Sequence, residues 1–287
     1  MTQRFAVLGS PIAHSRSPLL HSTALGVLAA DAEYGSAEVG AGELDGFVRE
    51  LGDDWRGLSL TMPLKEEALE LADDVDEVAR LTGAVNTLLF SSVDGARRIS
   101  GFNTDVHGIV RALQDGGVTA ARRALLLGGG ATARSAAVAV AQLGGEHIDL
   151  VLRDPAKATS VVEVAQGAGL TVDVHALGDG SAGVAVAPSL APDLTLSTLP
   201  GGTGIEGLLA AWTAPTTSTL LDVAYHPWPS PLAELWQSAG SAAVSGLAML
   251  VHQAVAQERI WWNGDPLAPL PDEDTITAAM LEAVADA

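Results

Sequence analysis

Apolar and polar positions alternate in blocks along the chain, and these blocks predict strands and helices in turn. In the first third, the runs RFAVL, AEYGSAEV, RGLSL and AVNTLLF are typical of strands. Between them, SPLLHSTALGVLA, AGELDGFVRELG and PLKEEALELA carry apolar residues at helical spacing. ARRISGF predicts a further strand, paired with AVNTLLF as a hairpin through SSVDG. Strands that alternate with helices favour an α/β fold.

The second part of the chain keeps this alternation around a glycine-rich turn. TDVHGIVRALQDGG predicts a helix with Thr104 or Asp105 as its cap and Gly116 and Gly117 as its stop. RALLL, GGGATARSAAVAVAQLGG and HIDLVL then predict a strand, a turn with its helix, and a strand. TVDVHAL, DLTLSTLP and TLLDVAY predict further strands, and GLAMLVHQAVAQERIWW predicts a long helix. We therefore predict one domain over 1–105, a second over 106–244, and C-terminal helices over 245–287 that pack on the first.

Composition and charge limit the kinds of partner and of chemical site that the protein can have. The chain has 287 residues, 48% of them hydrophobic, which suffices for one large domain or two modest ones. Its net charge of −20 and the lack of a basic patch argue against nucleic acid or an anionic membrane as a partner. The absence of cysteine excludes disulfides, cysteine zinc sites and thiol nucleophiles. No signal peptide or apolar run of about 18 residues is visible, so we expect a cytoplasmic protein.

A dinucleotide-binding fingerprint occupies the glycine-rich turn. The pattern G-x-G-x-x-G/A is matched by Gly128, Gly129, Gly130, Ala131, Thr132 and Ala133. It follows the strand ALLL, opens an alanine-rich helix and is followed by a second strand, which is the context that the fingerprint requires. Such a turn lets a pyrophosphate approach the backbone at the helix N-terminus. The alternative is an ordinary tight turn between a strand and a helix.

The end of the second strand of this unit bears on the choice of cofactor. An acid at this position hydrogen-bonds the ribose of NAD, whereas a base accommodates the extra phosphate of NADP. The chain has Arg153, Asp154 and, shortly after, Lys157. Two bases favour NADP. Asp154 either keeps NAD possible or merely caps a helix that starts at Pro155.

Polar residues recur at strand ends and helix starts in the first domain, where α/β proteins gather ligand groups. They include Thr61, Lys65, Asn86 and Asp105. Near a nucleotide, Lys65 could donate a proton to a carbonyl oxygen, and Asp105 could orient it. The alternative is a solvated helix lysine paired with Glu66 or Glu67, together with an Asp105 that only caps its helix.

Eight motifs in order carry a resemblance to a known family. They are GSPIAHSRSP, LTMPLK, GAVNT, GFNTD, GGGATA, STLP, LLDVAY and GLAMLVHQA. From Gly9 to about Ala256 the chain resembles the shikimate dehydrogenases. The resemblance implies an N-terminal α/β substrate-binding catalytic domain and a doubly wound, Rossmann-type NADP-binding domain. It also implies reversible, NADPH-dependent reduction of 3-dehydroshikimate to shikimate in aromatic amino acid biosynthesis.

The resemblance also implies roles for individual residues. The catalytic pair would be Lys65 and Asp105. The substrate would be bound by Ser15, Ser17, Thr61, Asn86, Asp105, Tyr225 and Gln253. The cofactor would be bound by Gly128, Gly129, Gly130, Ala131, Thr132, Ala133, Arg153, Lys157, Ser197, Thr198, Leu199, Val223 and Gly246. The reaction needs no metal, and we expect a monomer or a homodimer.

Two positions depart from the pattern of the family. Ser59 stands where many members have asparagine, which puts one substrate contact in doubt. Leu152, Arg153 and Asp154 stand where many have Asn-Arg-Thr. The acid keeps open an alternative, an NAD-dependent quinate/shikimate dehydrogenase. A ligand-sensing Rossmann protein without turnover is a further alternative.

Several remaining residues have structural explanations. Ser17, directly before a proline, is expected to cap the helix that follows, which leaves Ser15 unexplained except as a hydroxyl for an anionic substrate. His21 lies on that helix with no identifiable partner. Trp261 and Trp262 are expected to anchor the C-terminal helix on a core.

Overall fold

The computed structural model describes residues 2–176, 192–200 and 218–285. The chain divides into two compact units. The N-terminal unit comprises Met1–Gly108 and Val251–Ala287, and the central unit comprises Ile109–Leu250. Each unit is built on one six-stranded sheet with helices, so the predicted α/β class, with a parallel sheet in the central unit, is confirmed.

A mixed sheet forms the centre of the N-terminal unit, with the order β2-β1-β3-β5-β6-β4. Its strands are β1 (Gln3–Gly9), β2 (Ala32–Glu38), β3 (Trp55–Leu60), β4 (Asp74–Val75), β5 (Thr87–Val93) and β6 (Ala96–Phe102). The helices that follow these strands are α1 (Ser17–Val27), α2 (Leu44–Arg49), α3 (Lys65–Leu71) and α4 (Glu77–Thr82). β1 runs parallel to β2 and β3, whereas β5 is antiparallel to β3 and β6.

The central unit has an entirely parallel sheet with the order β12-β11-β10-β7-β8-β9. Its strands are β7 (Arg123–Leu127), β8 (His147–Leu152), β9 (Thr171–Ala176), β10 (Leu194–Ser197), β11 (Thr219–Asp222) and β12 (Ala243–Ser245). Its helices are α5 (Asp105–Asp115), which enters from the N-terminal unit, α6 (Ala131–Gln142), α7 (Thr159–Gly167) and α8 (Pro231–Ser238). Because the strand order reverses between β7 and β10, the carboxyl ends of these strands form the switch point at which such sheets bind ligands.

Two C-terminal helices complete the N-terminal unit. They are α9 (Gly246–Asn263), which starts in the central unit, and α10 (Glu273–Ala285). The indole of Trp261 packs 4.8 Å from the ring of Phe5, and its Nε1 donates to the Leu88 carbonyl over 3.1 Å. The expected anchoring of this helix by Trp261 is therefore confirmed. Among the described residues, no helix is both long and apolar enough to span a bilayer.

The hairpin and the end of α5 follow the sequence signals. β5 and β6 pair in antiparallel register from Thr87 opposite Phe102 to Val93 opposite Ala96. The turn between them has positive φ at Asp94 and Gly95, which is the backbone of a two-residue hairpin loop. α5 ends at Asp115, and Gly117 has a φ of +86°.

The expected cap of α1 is wrong. Ser17 is itself the first helical residue, Arg16 occupies the cap position, and no side chain caps from there. It is Ser15 whose Oγ accepts the Ser17 N–H, over 3.3 Å. A hydroxyl must precede the helix to reach its amides, and here the earlier serine does so.

Several elements carry sequence signals that the periodicity did not reveal. α4 begins after Asp76, whose carboxylate accepts the Ala79 N–H, and α8 begins after Ser230, whose hydroxyl accepts the Ala233 N–H. Both are ordinary caps. α7 and the short strands β4 and β12 were also not predicted. Short elements give too few residues for a periodic signal.

The close approach of α9 to the sheet generates a stability prediction. A Cβ added at Gly57 would lie 2.2 Å from Trp261 Nε1 and 2.6 Å from the Leu88 carbonyl oxygen. We expect Gly57→Ala to lower the free energy of unfolding by about 1 to 3 kcal/mol, because the indole must move from its acceptor. Gly35→Ala is the matched control, since a Cβ at this other strand glycine meets nothing within 4 Å. Equal denaturation midpoints for the two variants would contradict this packing.

Candidate functional site

Lys65 and Asp105 form a largely buried ion pair in the N-terminal unit. Lys65 is the first residue of α3, after β3, and Asp105 is the first residue of α5, after β6. The Lys65 Nζ donates to Asp105 Oδ2 over 2.5 Å, and the two side chains are 14% and 6% exposed. Lys65 is thus held by Asp105 rather than solvated beside Glu66. The Asp105 carboxylate faces the lysine and does not cap its own helix.

The carboxamide of Asn86 is fixed in one orientation beside this pair. Its Nδ2 donates to Asp105 Oδ1 over 2.8 Å and to Thr104 Oγ1 over 3.0 Å. Its Oδ1 accepts from the Thr104 N–H over 2.9 Å and from the Thr87 hydroxyl over 2.8 Å. Asn86 is buried, so bulk water does not compete for these bonds. The amide therefore holds one oxygen of Asp105 while Lys65 holds the other.

The other predicted substrate residues of this unit lie at different depths. Ser15 and Thr61 are half-buried, and Ser17 and Gln253 are buried. Thr104 Oγ1 lies 3.4 Å from Gln253 Oε1, which connects α9 with the surroundings of Asn86. Gln253 is thus placed with Asn86.

Ser59, which stands where many members of the family have asparagine, uses its hydroxyl for hydrogen bonds inside the protein. Its hydroxyl accepts from the Tyr34 hydroxyl over 2.7 Å and donates to Gln257 Oε1 over 2.8 Å. It is buried, so its hydrogen-bonding capacity is directed away from a ligand. Burial raises the pKa of Tyr34 far above its usual value, and the hydrogen bonds to Ser59 and Ser17 offset only part of that.

His21 has partners, contrary to the expectation from the sequence. The ring is fully buried, with Nδ1 2.6 Å from Glu258 Oε1 and Nε2 3.1 Å from Gln257 Oε1. It stacks on the Tyr34 ring, with centroids 4.2 Å apart. Glu258 also accepts from the Trp262 indole. Sequence reasoning missed this cluster, although Gln257 and Glu258 are adjacent polar residues in a largely apolar helix.

The central unit brings the predicted cofactor residues to one edge of its sheet. Thr198, after β10, donates to the Leu127 carbonyl at the end of β7 through its N–H (2.8 Å) and its hydroxyl (2.9 Å). Gly128 has a φ of +112°, and a Cβ there would lie 2.3 Å from Thr198 Oγ1. A Cβ on Gly246 would lie 2.1 Å from the Val223 carbonyl oxygen, after β11. Glycine is therefore required at both positions.

Some of the remaining predicted residues at this edge of the sheet are buried or pack against the core of the central unit. Ser197 is buried at the end of β10, and Leu199 packs against the hydrophobic core of the central unit. Tyr225 is half-buried and is the one predicted substrate residue that lies in the central unit.

The glycine turn before α6 fits the phosphates of a dinucleotide. Gly130 precedes α6, no side chain caps this helix, and a Cβ on Gly130 would meet nothing within 4 Å. The N-terminus of α6, which starts at Ala131, therefore offers amides to an anion with no side chain in the way. Behind the turn, a Cβ on Gly129 would lie 2.9 Å from Leu152 Cδ2, so the turn packs closely on β8.

The contacts of Asp154, after β8, distinguish between its two possible roles, as an acid that binds the ribose of NAD and as a helix cap. Its carboxylate accepts the Ala156 N–H over 3.1 Å and caps a short 3₁₀ helix, Pro155–Lys157. The cap interpretation is confirmed. Arg153 and Lys157 are exposed beside it, which leaves both cations available to a ligand.

Asp222 fixes the segment that carries Val223 and Tyr225. Its Oδ1 accepts the Ala224 N–H over 3.2 Å, and its Oδ2 accepts the Ser230 hydroxyl over 2.6 Å. Burial raises the pKa of this carboxyl, and the hydrogen bonds act in the opposite direction. The sequence did not suggest this residue, although it is an isolated acid at a strand end.

One group of possible metal ligands lies elsewhere in the central unit. The ligand atoms of His147, Asp149 and Asp173 lie within 4.8 Å of one another. The Asp149 carboxylate is already paired with Arg123, at 2.8 and 3.0 Å, and with His175, at 3.0 Å. These partners hold the pKa of Asp149 below its usual value despite burial, which acts to raise it. The expectation of a reaction without a metal stays a prediction.

Known proteins resemble the chain over nearly its whole length. The family model described as the shikimate dehydrogenase substrate binding domain matches residues 7–88. A shikimate dehydrogenase (NADP(+)) of Methylobacterium radiotolerans is 35% identical over 294 residues, covering 96% of this chain and 97% of that protein. The chain belongs to the shikimate dehydrogenase family. A second relative of the same name, from Methanococcoides burtonii, is 32% identical over 93% of this chain and 94% of its own.

Solved structures of shikimate dehydrogenases share the fold. The enzyme of Mycobacterium tuberculosis has a TM-score of 0.85 and 38% identity, over 99% of this chain and 100% of its own. The enzyme of Thermus thermophilus in complex with NADP(H) and shikimate has a TM-score of 0.77 and 32% identity, over 98% and 99%. The two-unit architecture is thus that of the family.

The contact between Asn86 and Asp105 generates a pH-dependent prediction. Asn86→Asp would place a second carboxylate against Asp105 Oδ1, so one of the two must take up a proton. We expect this variant to lose roughly 3 kcal/mol of unfolding free energy at pH 8, and less as the pH falls and the proton is bound. Denaturant unfolding between about pH 5.5 and 8 measures the loss.

Asn263→Asp is the control for this pH dependence, because Asn263 is exposed and its Nδ2 bonds only backbone carbonyls. A loss for Asn86→Asp that does not change with pH, or that matches the control, would contradict the geometry.

Proposed function

We propose that this chain is an NADP-dependent oxidoreductase that interconverts 3-dehydroshikimate and shikimate. The observation that carries the proposal is the Lys65–Asp105 ion pair, buried and oriented by Asn86. Membership of a family whose relatives are named shikimate dehydrogenase (NADP(+)) supports the substrate and the cofactor.

The chemistry needs a proton donor at a carbonyl oxygen. NADPH, when bound, supplies the hydride that reduces the carbonyl carbon. Lys65 holds a proton at Nζ, stabilises the negative charge that develops on the oxygen and then protonates it. Oδ2 of Asp105 accepts from the ammonium and keeps it oriented. Asn86 donates to Oδ1 and thereby prevents the carboxylate from rotating. In the reverse direction, the Lys65 amine accepts the proton from the hydroxyl.

The substrate carboxylate is assigned to two serine hydroxyls, that of Ser15 in the loop before α1 and that of Ser17 at the first position of this helix. Ser15 and Ser17 are neighbours, joined by the bond from the Ser17 N–H to Ser15 Oγ. These hydroxyls are neutral hydrogen-bond donors, so they can bind a carboxylate without a cation beside it, even though the protein has a net charge of −20. Tyr225 is assigned to the same carboxylate, and the ring hydroxyls are assigned to Thr61, Asn86, Asp105 and Gln253.

The cofactor is assigned to the central unit. The turn from Gly128 to the start of α6 would bind its phosphates, and the segments around Thr198, Val223 and Gly246 would hold the nicotinamide. Arg153 and Lys157 would bind the extra phosphate of NADP. Since Asp154 is used as a cap, it does not argue for NAD.

Other properties follow from the same assignment. The NAD-dependent quinate/shikimate alternative is not favoured, because the relatives carry the NADP(+) designation. We place the reaction in aromatic amino acid biosynthesis, in the cytoplasm, with a small-molecule substrate and no nucleic acid or membrane partner. The assembly is proposed to be a monomer or a homodimer.

Substitutions of the two lysines of the chain are expected to change different kinetic constants. Lys65 and Lys157 are the only lysines present, so Lys65→Met and Lys157→Met are matched variants. We expect Lys65→Met to lower kcat for shikimate oxidation by roughly a hundredfold or more, since the proton-transferring group is lost. Lys157→Met should raise the KM for NADP+ and leave kcat nearly unchanged. Steady-state formation of NADPH measures both, and an unaltered kcat in Lys65→Met would refute the mechanism.

Arg153 is expected to select the cofactor. Arg153→Ala should raise the KM for NADP+ about tenfold or more and change that for NAD+ little, because only NADP+ carries the phosphate that Arg153 would bind. Arg122→Ala is the control, since this exposed arginine pairs with Glu146, the residue before β8. Kinetics with shikimate and quinate, each with both cofactors, test the substrate and the cofactor together. Equal effects on NADP+ and NAD+ would show that Arg153 does not bind the phosphate.

A further inference from the structure

A continuous chain of hydrogen bonds connects α9 with the Lys65–Asp105 pair. It starts at Gln257, whose Nε2 donates to the Asn86 carbonyl over 3.2 Å and to Thr87 Oγ1 over 3.0 Å. The Thr87 hydroxyl then donates to Asn86 Oδ1, and Asn86 Nδ2 donates to Asp105 Oδ1. The last link is the bond from Lys65 to Asp105 Oδ2.

The contacts of the Gln257 amide define its orientation. Its Oε1 accepts from the Ser59 hydroxyl over 2.8 Å and lies 3.1 Å from His21 Nε2. His21 is held in turn by Glu258, 2.6 Å from Nδ1. Rotating the amide by half a turn would place Oε1 against the Asn86 carbonyl oxygen, which is a contact between two acceptors. The network thus defines which end of Gln257 faces Thr87.

The members of the chain have no water to replace a lost partner. Thr87 is 0% exposed, Gln257 1% and Asn86 2%. A buried polar group that loses its partner keeps the full cost of desolvation, so the network rotates or shifts to recover a bond. Any such movement at Asn86 is transmitted to Asp105, because they share a direct hydrogen bond.

We propose that Thr87 and Gln257 are positioning residues for the Lys65–Asp105 pair, acting through the carboxamide of Asn86. Neither residue is assigned to substrate or cofactor. They set the direction of the Asn86 amide and thereby the direction in which Asp105 presents the ammonium of Lys65. The kinetic part of this inference rests on the proposed function.

Thr87→Val tests the proposal with the smallest change, because it removes one hydroxyl at nearly constant volume. We expect kcat/KM for shikimate to fall roughly tenfold to a hundredfold, as for a misplaced catalytic group, with the KM for NADP+ unchanged. Thr87→Ser keeps the hydroxyl and should restore most of the activity. Thr195→Val is the matched control, since Thr195 is a buried strand threonine whose hydroxyl bonds Ser218 in the central unit.

Lysine NMR gives a readout that does not depend on turnover. In protein labelled with ¹³C-lysine, only Lys65 and Lys157 give signals. We expect Thr87→Val to move the Lys65 side-chain resonance at constant pH and to leave that of the exposed Lys157 in place. Thr87→Ser and Thr195→Val should move neither. A role of Thr87 in stability alone would leave the Lys65 resonance unchanged, and that result would overturn the proposal.

Gln257→Leu extends the test along the chain. We expect it to move the Lys65 resonance as Thr87→Val does, and the double variant to lose little more activity than the worse single one, because both act through Asn86. Fully additive losses would overturn the shared route, and if Gln257→Leu does not fold, Thr87→Val decides alone. Should the wild type fail to oxidise shikimate, the proposed function falls, and the Lys65 resonance still decides the positioning role.

Discussion

The buried ion pair between Lys65 and Asp105 is the constraint on which the N-terminal unit depends. Two charges are stable at this depth only if the pair is close and their remaining hydrogen-bonding groups are satisfied. Asn86 meets that condition for the second oxygen of Asp105. Asn86 is satisfied in turn by Thr87 and Thr104, so the polar interior around the pair is built outward from one carboxylate.

The mixed sheet makes this arrangement possible. Lys65 follows β3, Asn86 precedes β5 and Asp105 follows β6, and these three strands are neighbours in the sheet. Because β5 runs antiparallel to β3 and β6, its start lies at the same edge as their ends. α9 then covers the face through Trp261 and brings Gln257 to this edge from 171 residues away in sequence.

In the central unit, close contacts at two glycines, rather than a buried ion pair, bring the ends of the strands together. Gly128 lies against the Thr198 hydroxyl, and Gly246 lies against the Val223 carbonyl, so the segments that follow the strands approach closely at both glycines. This leaves an edge of amides and small residues, which is what a cofactor with phosphates requires. The cations Arg153 and Lys157 stand outside it, exposed.

The sequence by itself determined the features that depend on neighbours along the chain. The alternation of strands and helices, the hairpin turn and the glycine fingerprint are local patterns, and each formed as predicted. The tertiary structure decided which polar groups meet. The partner of His21 lies 237 residues away, and Ser15 rather than Ser17 receives the helix amide. Local pattern fixes backbone conformation, whereas pairing inside a core depends on which faces pack together, and no single segment encodes that.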